Sequence, residues 1–169
     1  MNLRGSALVA GAVLILGSML PTAAFGASNP GSLPQTTGEP SFGAPMAAQM
    51  RKLATAIRTD SINLGETVFF PRTAYVNMKT GEIPAPASDY VDRLIAFFRL
   101  DLAAYHDRLF ARAVTTYVRV RANPADAAWI SPGVCENRIG YWHIQGVRLE
   151  FIRDSKVVSV AVASLISWR

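Results

Sequence analysis

The chain has 169 residues, half of them hydrophobic and 17% charged, which suits one domain once targeting segments are removed. A single cysteine, Cys135, excludes an internal disulfide and leaves a buried, free or intermolecularly paired thiol. The formal charge of +5 is spread along the chain without a run of like charges, so contact with an anionic surface is favoured over nucleic-acid binding.

Residues 1–26 read as a secretory signal. Arg4 supplies a positive start, and Ala7 to Leu20 is an apolar run shorter than the ~20 residues of a membrane span. Pro21 ends it, and Ala24-Phe25-Gly26 offers small residues for cleavage after Gly26. An uncleaved signal is the one expected route to membrane attachment. The mature chain then carries 16 Lys and Arg against 12 Asp and Glu, a charge of +4. Residues 27–43, rich in Pro, Gly, Ser and Thr, have the composition of a disordered linker. Residues 44–169 are expected to form a single domain.

Pro45 marks a helix start, because its missing N–H costs nothing in the first turn, and Met46, Met50, Leu53, Ala54 and Ile57 recur at helical spacing to about Thr59. Ser61 to Gly65 reads as a turn or short helical piece. Pro71 argues against a central strand in 66–78, so a loop at Phe70-Pro71 and a short edge strand near Ala74 to Asn77 are expected. Ser88 is a good N-cap for a helix over Asp89 to Asp107, with Asp89 and Asp92 in its first turn. Val91, Leu94, Ile95, Phe98, Leu102 and Tyr105 form its apolar stripe, and Phe97 lies off it. Thr116, Val118 and Val120 alternate with Tyr117, Arg119 and Arg121 in a strand, and a short strand returns over Ala127 to Ile130.

The stretch from Ser131 to Arg169 organises the rest as a three-strand meander. One strand runs from Arg138 to Gln145, and Gln145-Gly146 is a tight connection. A second strand presents Val147, Leu149 and Phe151 on one face. After the Arg153-Asp154-Ser155-Lys156 turn, the third presents Val158, Val160, Val162, Ile166 and Trp168. The long helix is expected to cover that face. The expected fold class is α+β, with helices packed on one face of a curved antiparallel sheet, roll-like, and a final strand beyond Arg169 is expected to be missing.

This element order, over residues 45–169, resembles the nuclear-transport-factor-2-like and cystatin-like rolls. Such rolls often enclose an apolar pocket between sheet and helices and host enzymes and non-enzymes alike. More locally, CENRIGYWH at 135–143 followed by ASLISWR at 163–169 resembles uncharacterised secreted proteins of high-GC actinobacteria. That family implies no known activity. Its segment continues past the Trp-Arg into another aromatic strand.

The residues able to carry chemistry are few. His106 closes the long helix, where the dipole alone favours it, and His143 sits mid-strand. These two are the acid/base candidates. Cys135 lies in a turn before a strand and lacks the helix N-terminus or base that activates a thiol. Glu136, Asn137 and Arg138 precede Tyr141 and Trp142, so these five could line a pocket mouth. Two histidines and one cysteine make a metal site improbable, and no nucleotide-binding or hydrolase motif is present, so no cofactor is expected. The functional expectation is a secreted or envelope-associated, non-catalytic binding module. Its partner would be an anionic envelope component or a small apolar ligand. The competing class is a pocket enzyme of isomerase or hydratase type using His106 or His143.

Overall fold

A computed structural model describes residues 37–167. The targeting segment expected at 1–26, most of the expected linker and Trp168 lie outside the described residues.

Helix α1 (Ala44–Thr59) carries Pro45 in its first turn and buries Met50, Leu53, Ala54 and Ile57, as the spacing predicts. Asp60 ends it in the left-handed conformation, φ 48°, and the backbone N–H of Ser61 donates to Ala56 O at 2.9 Å. The Ser61 hydroxyl accepts from Leu64 N and starts α2 (Ile62–Glu66).

The edge strand expected near Ala74 to Asn77 is instead helix α3 (Arg72–Met78). Pro71 is its N-cap, where a missing N–H costs nothing. Met78 falls one helical turn beyond Ala74 and Tyr75, and all three are buried, a pattern that no strand would bury on one face.

The long helix begins at α4 (Pro86–Asp89), passes through a π turn (Tyr90–Ile95) and continues as α5 (Ala96–Phe110). The π turn adds one residue to the helical period. Tyr90 and Ile95, five apart, are therefore both buried, whereas Val91 from the expected stripe is 46% exposed. The stripe holds downstream of the turn: Leu102 and Leu109 are buried, and Phe98 and Tyr105 pack on the core.

The sheet is antiparallel, with β1 (Thr115–Arg121), β2 (Ala127–Ile130), β3 (Tyr141–Arg153) and β4 (Lys156–Ser167). Strand β3 is central. Strand β4 pairs along one side of it from Arg153↔Lys156 to Trp142↔Ser167. Strands β1 and β2 lie end to end on the other side, joined by a 3₁₀ corner at Pro124–Asp126. The fold is α+β, an open antiparallel sheet with helices on its apolar face.

One expected feature of the meander changes. Gly146 does not connect two strands. It is a left-handed kink, φ 72°, inside the 13-residue β3. Ile144 and Val147 are both buried, so the alternation shifts at this glycine without the chain reversing. The Asp154-Ser155 turn does reverse the chain, and both residues have positive φ, 50° and 61°, as a two-residue hairpin turn requires. In β1 the pairing slips at Val118, a bulge that places Tyr117 and Val120 together on the core and leaves Val118 exposed.

The main core joins Met50, Leu53 and Ile57 of α1 with Leu102 and Leu109 of α5 and Leu149, Phe151 and Val160 of the sheet. The expected docking of the long helix on the valine face therefore holds at Leu102 and Val160. It fails at Ile166, which is exposed while Leu165 packs inward. On the outer face Arg119 donates to Glu150 at 2.7 Å and Arg121 stands 3.7 Å away. This bracket holds the Glu150 carboxyl below the usual carboxylate range, with the Arg119 hydrogen bond as its first cause.

Candidate functional site

Among the described residues, a larger and a smaller cleft open beside the core. The larger, about 810 Å³, lies between the long helix and β4. Leu94, Phe97, Phe98, Leu102 and Tyr105 line the helical wall, and Leu53, Ile57 and Leu149 lie deeper. The opposite wall is the unbroken run Val160 to Ile166. A strand seen by its face contributes alternate residues, so a consecutive run means that β4 presents its edge to the cleft. Near the C-terminal end of α5 the wall is tied to the sheet: the Tyr105 hydroxyl donates to Ala161 O at 3.2 Å, and Arg153 donates to Arg108 O at 2.9 Å.

The other end of this cleft reaches Tyr75, Met78, Lys79, Asn137 and Tyr141. Lys79 and Asn137 form an isolated antiparallel bridge between the end of α3 and the turn before β3. Thr80 N donates to Glu136 O at 2.9 Å and Arg138 N to Met78 O at 2.8 Å, locking the two segments together. Asn137 is 2% exposed. Its Nδ2 donates to Val134 O at 3.3 Å, and because a carbonyl cannot donate, that contact assigns the amide orientation. Oδ1 is then left buried with no hydrogen-bond partner. An unmet acceptor of this kind costs ~1–3 kcal/mol and calls for an explanation.

A polar triad supports this end of the cleft. The Tyr75 hydroxyl donates to Asp89, and Arg93 grips both Asp89 oxygens at 2.7 and 2.6 Å while reaching the Tyr75 oxygen at 3.2 Å. The Arg93 guanidinium, then the Tyr75 hydroxyl, hold the Asp89 carboxyl down to about 2. Burial, then the hydrogen bond to Asp89, pushes the Tyr75 hydroxyl up to about 12. Tyr90 donates to Phe70 O at 2.6 Å, so two tyrosines pin α3 and the preceding loop to the long helix. Burial raises the Tyr141 hydroxyl above its ordinary value.

The smaller cleft, about 410 Å³, lies between the start of α1 and the far end of the hairpin. Phe42, Met46, Trp142, His143, Ile144 and Leu165 line it. Part of the segment read as linker lies here: Trp142 Nε1 donates to Thr37 O at 3.1 Å, and Pro40 to Phe42 border the opening. Trp142 meets its cross-strand partner Trp129 edge-on, ring centroids 6.1 Å apart.

The candidate residues separate into different places. His106 contacts Ile57 O through Nδ1 at 2.9 Å and stacks on Phe110, so it caps the C-terminal end of α1 rather than its own helix. His143 lines the smaller cleft, and no carboxylate is among the described residues that line it. Of the five residues expected at a pocket mouth, Asn137 and Tyr141 line the larger cleft and Trp142 the smaller one. Glu136 and Arg138 are exposed, and Arg138 Nε donates to Asn77 O at 2.5 Å, capping α3. Cys135 is exposed in the left-handed conformation, φ 54°, and its carbonyl accepts from Lys79 Nζ at 3.2 Å. Among the described residues no three His, Cys, Asp or Glu side chains converge, and no helix is long and apolar enough to cross a membrane.

Sequence reasoning missed the edge of β4 and the Lys79–Asn137 bridge. The charge-free run from Val157 to Ser167 was a signal for the first, since edge strands ordinarily carry charge. The bridge had no local signal, because it joins residues 58 positions apart through helix α3. No protein-family model matches the chain, and no curated protein or solved structure is found to be similar to it.

Proposed function

We propose that this chain is an exported, non-catalytic binding module whose seat is the cleft between the long helix and β4. Export rests on the signal-like segment at 1–26. The binding reading rests on one observation: a cleft of about 810 Å³ walled by leucine, phenylalanine and valine side chains, within the ~300–1,000 Å³ typical of ligand sites. That lining favours an apolar ligand over the anionic envelope component also considered, because the arginines at 119 and 121 stand on the outer face and are partly neutralised by Glu150. His106 is engaged by a backbone carbonyl, and His143 opens on the other cleft, which favours binding over acid/base chemistry.

Titration with the aromatic disulfonate dye bis-ANS, at high salt to screen its charges, tests this reading. The folded protein gives one saturable, blue-shifted site. Phe97→Gln, at a position 61% exposed on the cleft wall, weakens it by about ten-fold while leaving the melting temperature unchanged. Absence of saturable dye binding by folded protein would refute the proposal.

A further inference from the structure

We propose that the cleft is a strand-addition groove, in which an extended segment of a partner polypeptide pairs with the free edge of β4 beneath the long helix. This rests on the reading of the cleft as the binding seat and names its ligand class.

The hairpin sets which backbone groups are free. In a two-residue hairpin the residues flanking the turn, Arg153 and Lys156, form a hydrogen-bonded pair. Pair types alternate along the ladder, so Phe151↔Val158 and Leu149↔Val160 are bonded pairs while Glu150↔Ser159 and Arg148↔Ala161 are not. Ser159, Ala161 and Ala163 therefore turn both N–H and C=O away from β3. The Tyr105 hydroxyl at Ala161 O, on the outer side, independently agrees with this parity. Ala161 and Ala163 both lie in the cleft wall, and the Tyr105 contact is the one hydrogen bond found for their outward groups among the described residues. Unpaired backbone beside apolar walls is costly, and an extended peptide satisfies it with matching spacing.

The edge strand carries no protecting charge or proline from Val157 to Ser167, and the side chains of Ser159, Ala161 and Ala163 are small. Across the groove Leu94, Phe97 and Phe98 offer apolar contacts for alternate side chains of an added strand. The wall from Val160 to Ile166 spans seven residues, and its two charged neighbours, Lys79 and Asp101, are of opposite sign, so the fitting segment is uncharged and about seven residues long. A second copy presenting β4 does not fit, because its own long helix flanks the same edge and its sheet would meet the helical wall. The occupant is a single strand without a sheet of its own.

The probe is a fluorescein-labelled seven-residue peptide of alternating valine and threonine, with two isomers N-methylated on either the valines or the threonines. Main-chain pairing predicts that one isomer binds about ten-fold more weakly and the other like the parent, since alternate N–H groups face β4. Amide hydrogen exchange at Ala161 and Ala163 slows by about ten-fold or more on saturation with the parent peptide. Equal binding of all three peptides, or unslowed exchange at both alanines, overturns strand addition. Binding of bis-ANS without binding of the peptide also overturns it while leaving the cleft as a ligand seat. Failure of both probes removes the cleft reading itself. Ala163→Pro deletes one outward N–H at an edge position where proline is tolerated, and it weakens the parent peptide by a larger factor than it weakens the dye. Peptide-free dimers that protect the Ala163 amide would assign the edge to a second copy and overturn the proposal.

Discussion

Gly140→Ala is a sharp test of the hairpin's far end. Gly140 does not occupy the left-handed region, so alanine meets no backbone penalty there, and its effect comes from contact alone. A Cβ at this position would stand 2.3 Å from Trp129 Cζ2, 2.9 Å from Cη2 and 3.0 Å from Ile130 O. The carbonyl belongs to paired backbone of β2 and cannot withdraw, so Trp129 must move by roughly 1 Å to restore ordinary contact. Overpacking of this kind costs ~1–3 kcal/mol. Displacing Trp129 from its edge-on contact with Trp142 adds ~0.5–1.5 kcal/mol. A total of about 2–4 kcal/mol lowers the melting midpoint of a domain this size by roughly 10 °C. Circular dichroism melts measure it, and near-ultraviolet spectra report the changed indole environment. In a Trp129→Leu background the alanine should cost under about 1 kcal/mol, because the indole atoms it strikes are gone and only the 3.0 Å contact with Ile130 O remains. Equal costs in the two backgrounds would refute the contact as the cause.

The long helix predicts an asymmetric pair of losses. Phe98→Ala, which strips a ring tilted against Phe69 at 4.7 Å, should cost about 2–4 kcal/mol in a thermal melt, and Phe97→Ala, 61% exposed, under about 1 kcal/mol. In the hairpin turn, Asp154→Asn with Ser155→Gly should raise the urea midpoint by about 1 kcal/mol of stability, because both positions have positive φ. The Asp89 carboxyl, depressed to about 2, contributes stability that is fully present above the unfolded value near 4 and is lost as pH falls through about 2. Asp89→Asn should therefore flatten the fall in stability between pH 4 and 2, and an unchanged acid slope would contradict the triad. His106→Ala should cost about 1 kcal/mol by leaving Ile57 O short of a partner, with no effect on dye binding at the cleft.

Much of the fold was legible where a single local signal dominates. Pro45 and the Met50–Leu53–Ile57 spacing mark α1, and the Asp154-Ser155 turn marks the hairpin, because capping and turn chemistry act over a few residues. The misread elements share a different cause. Gly146 interrupts the alternation as a turn would, and it is the unbroken pairing with β4 past this residue that shows β3 running straight on. The π turn shifts the stripe by one residue, so Val91 replaces Tyr90 in a strict helical count. Helix α3 was hidden because Pro71 reads equally as a strand breaker and a helix N-cap. At the candidate site, Tyr141 and Asn137 were legible as polar and aromatic residues beside a strand. Their meeting with Lys79 was not, since it depends on α3, the element read as a strand.

The most direct measurement is a ¹H–¹⁵N map of the folded protein titrated with bis-ANS. The account predicts saturable shifts concentrated at Leu94 to Tyr105 and Val160 to Ile166, the two walls of the larger cleft. Shifts concentrated instead at Phe42, Met46 and Trp142, around the smaller cleft, would contradict it.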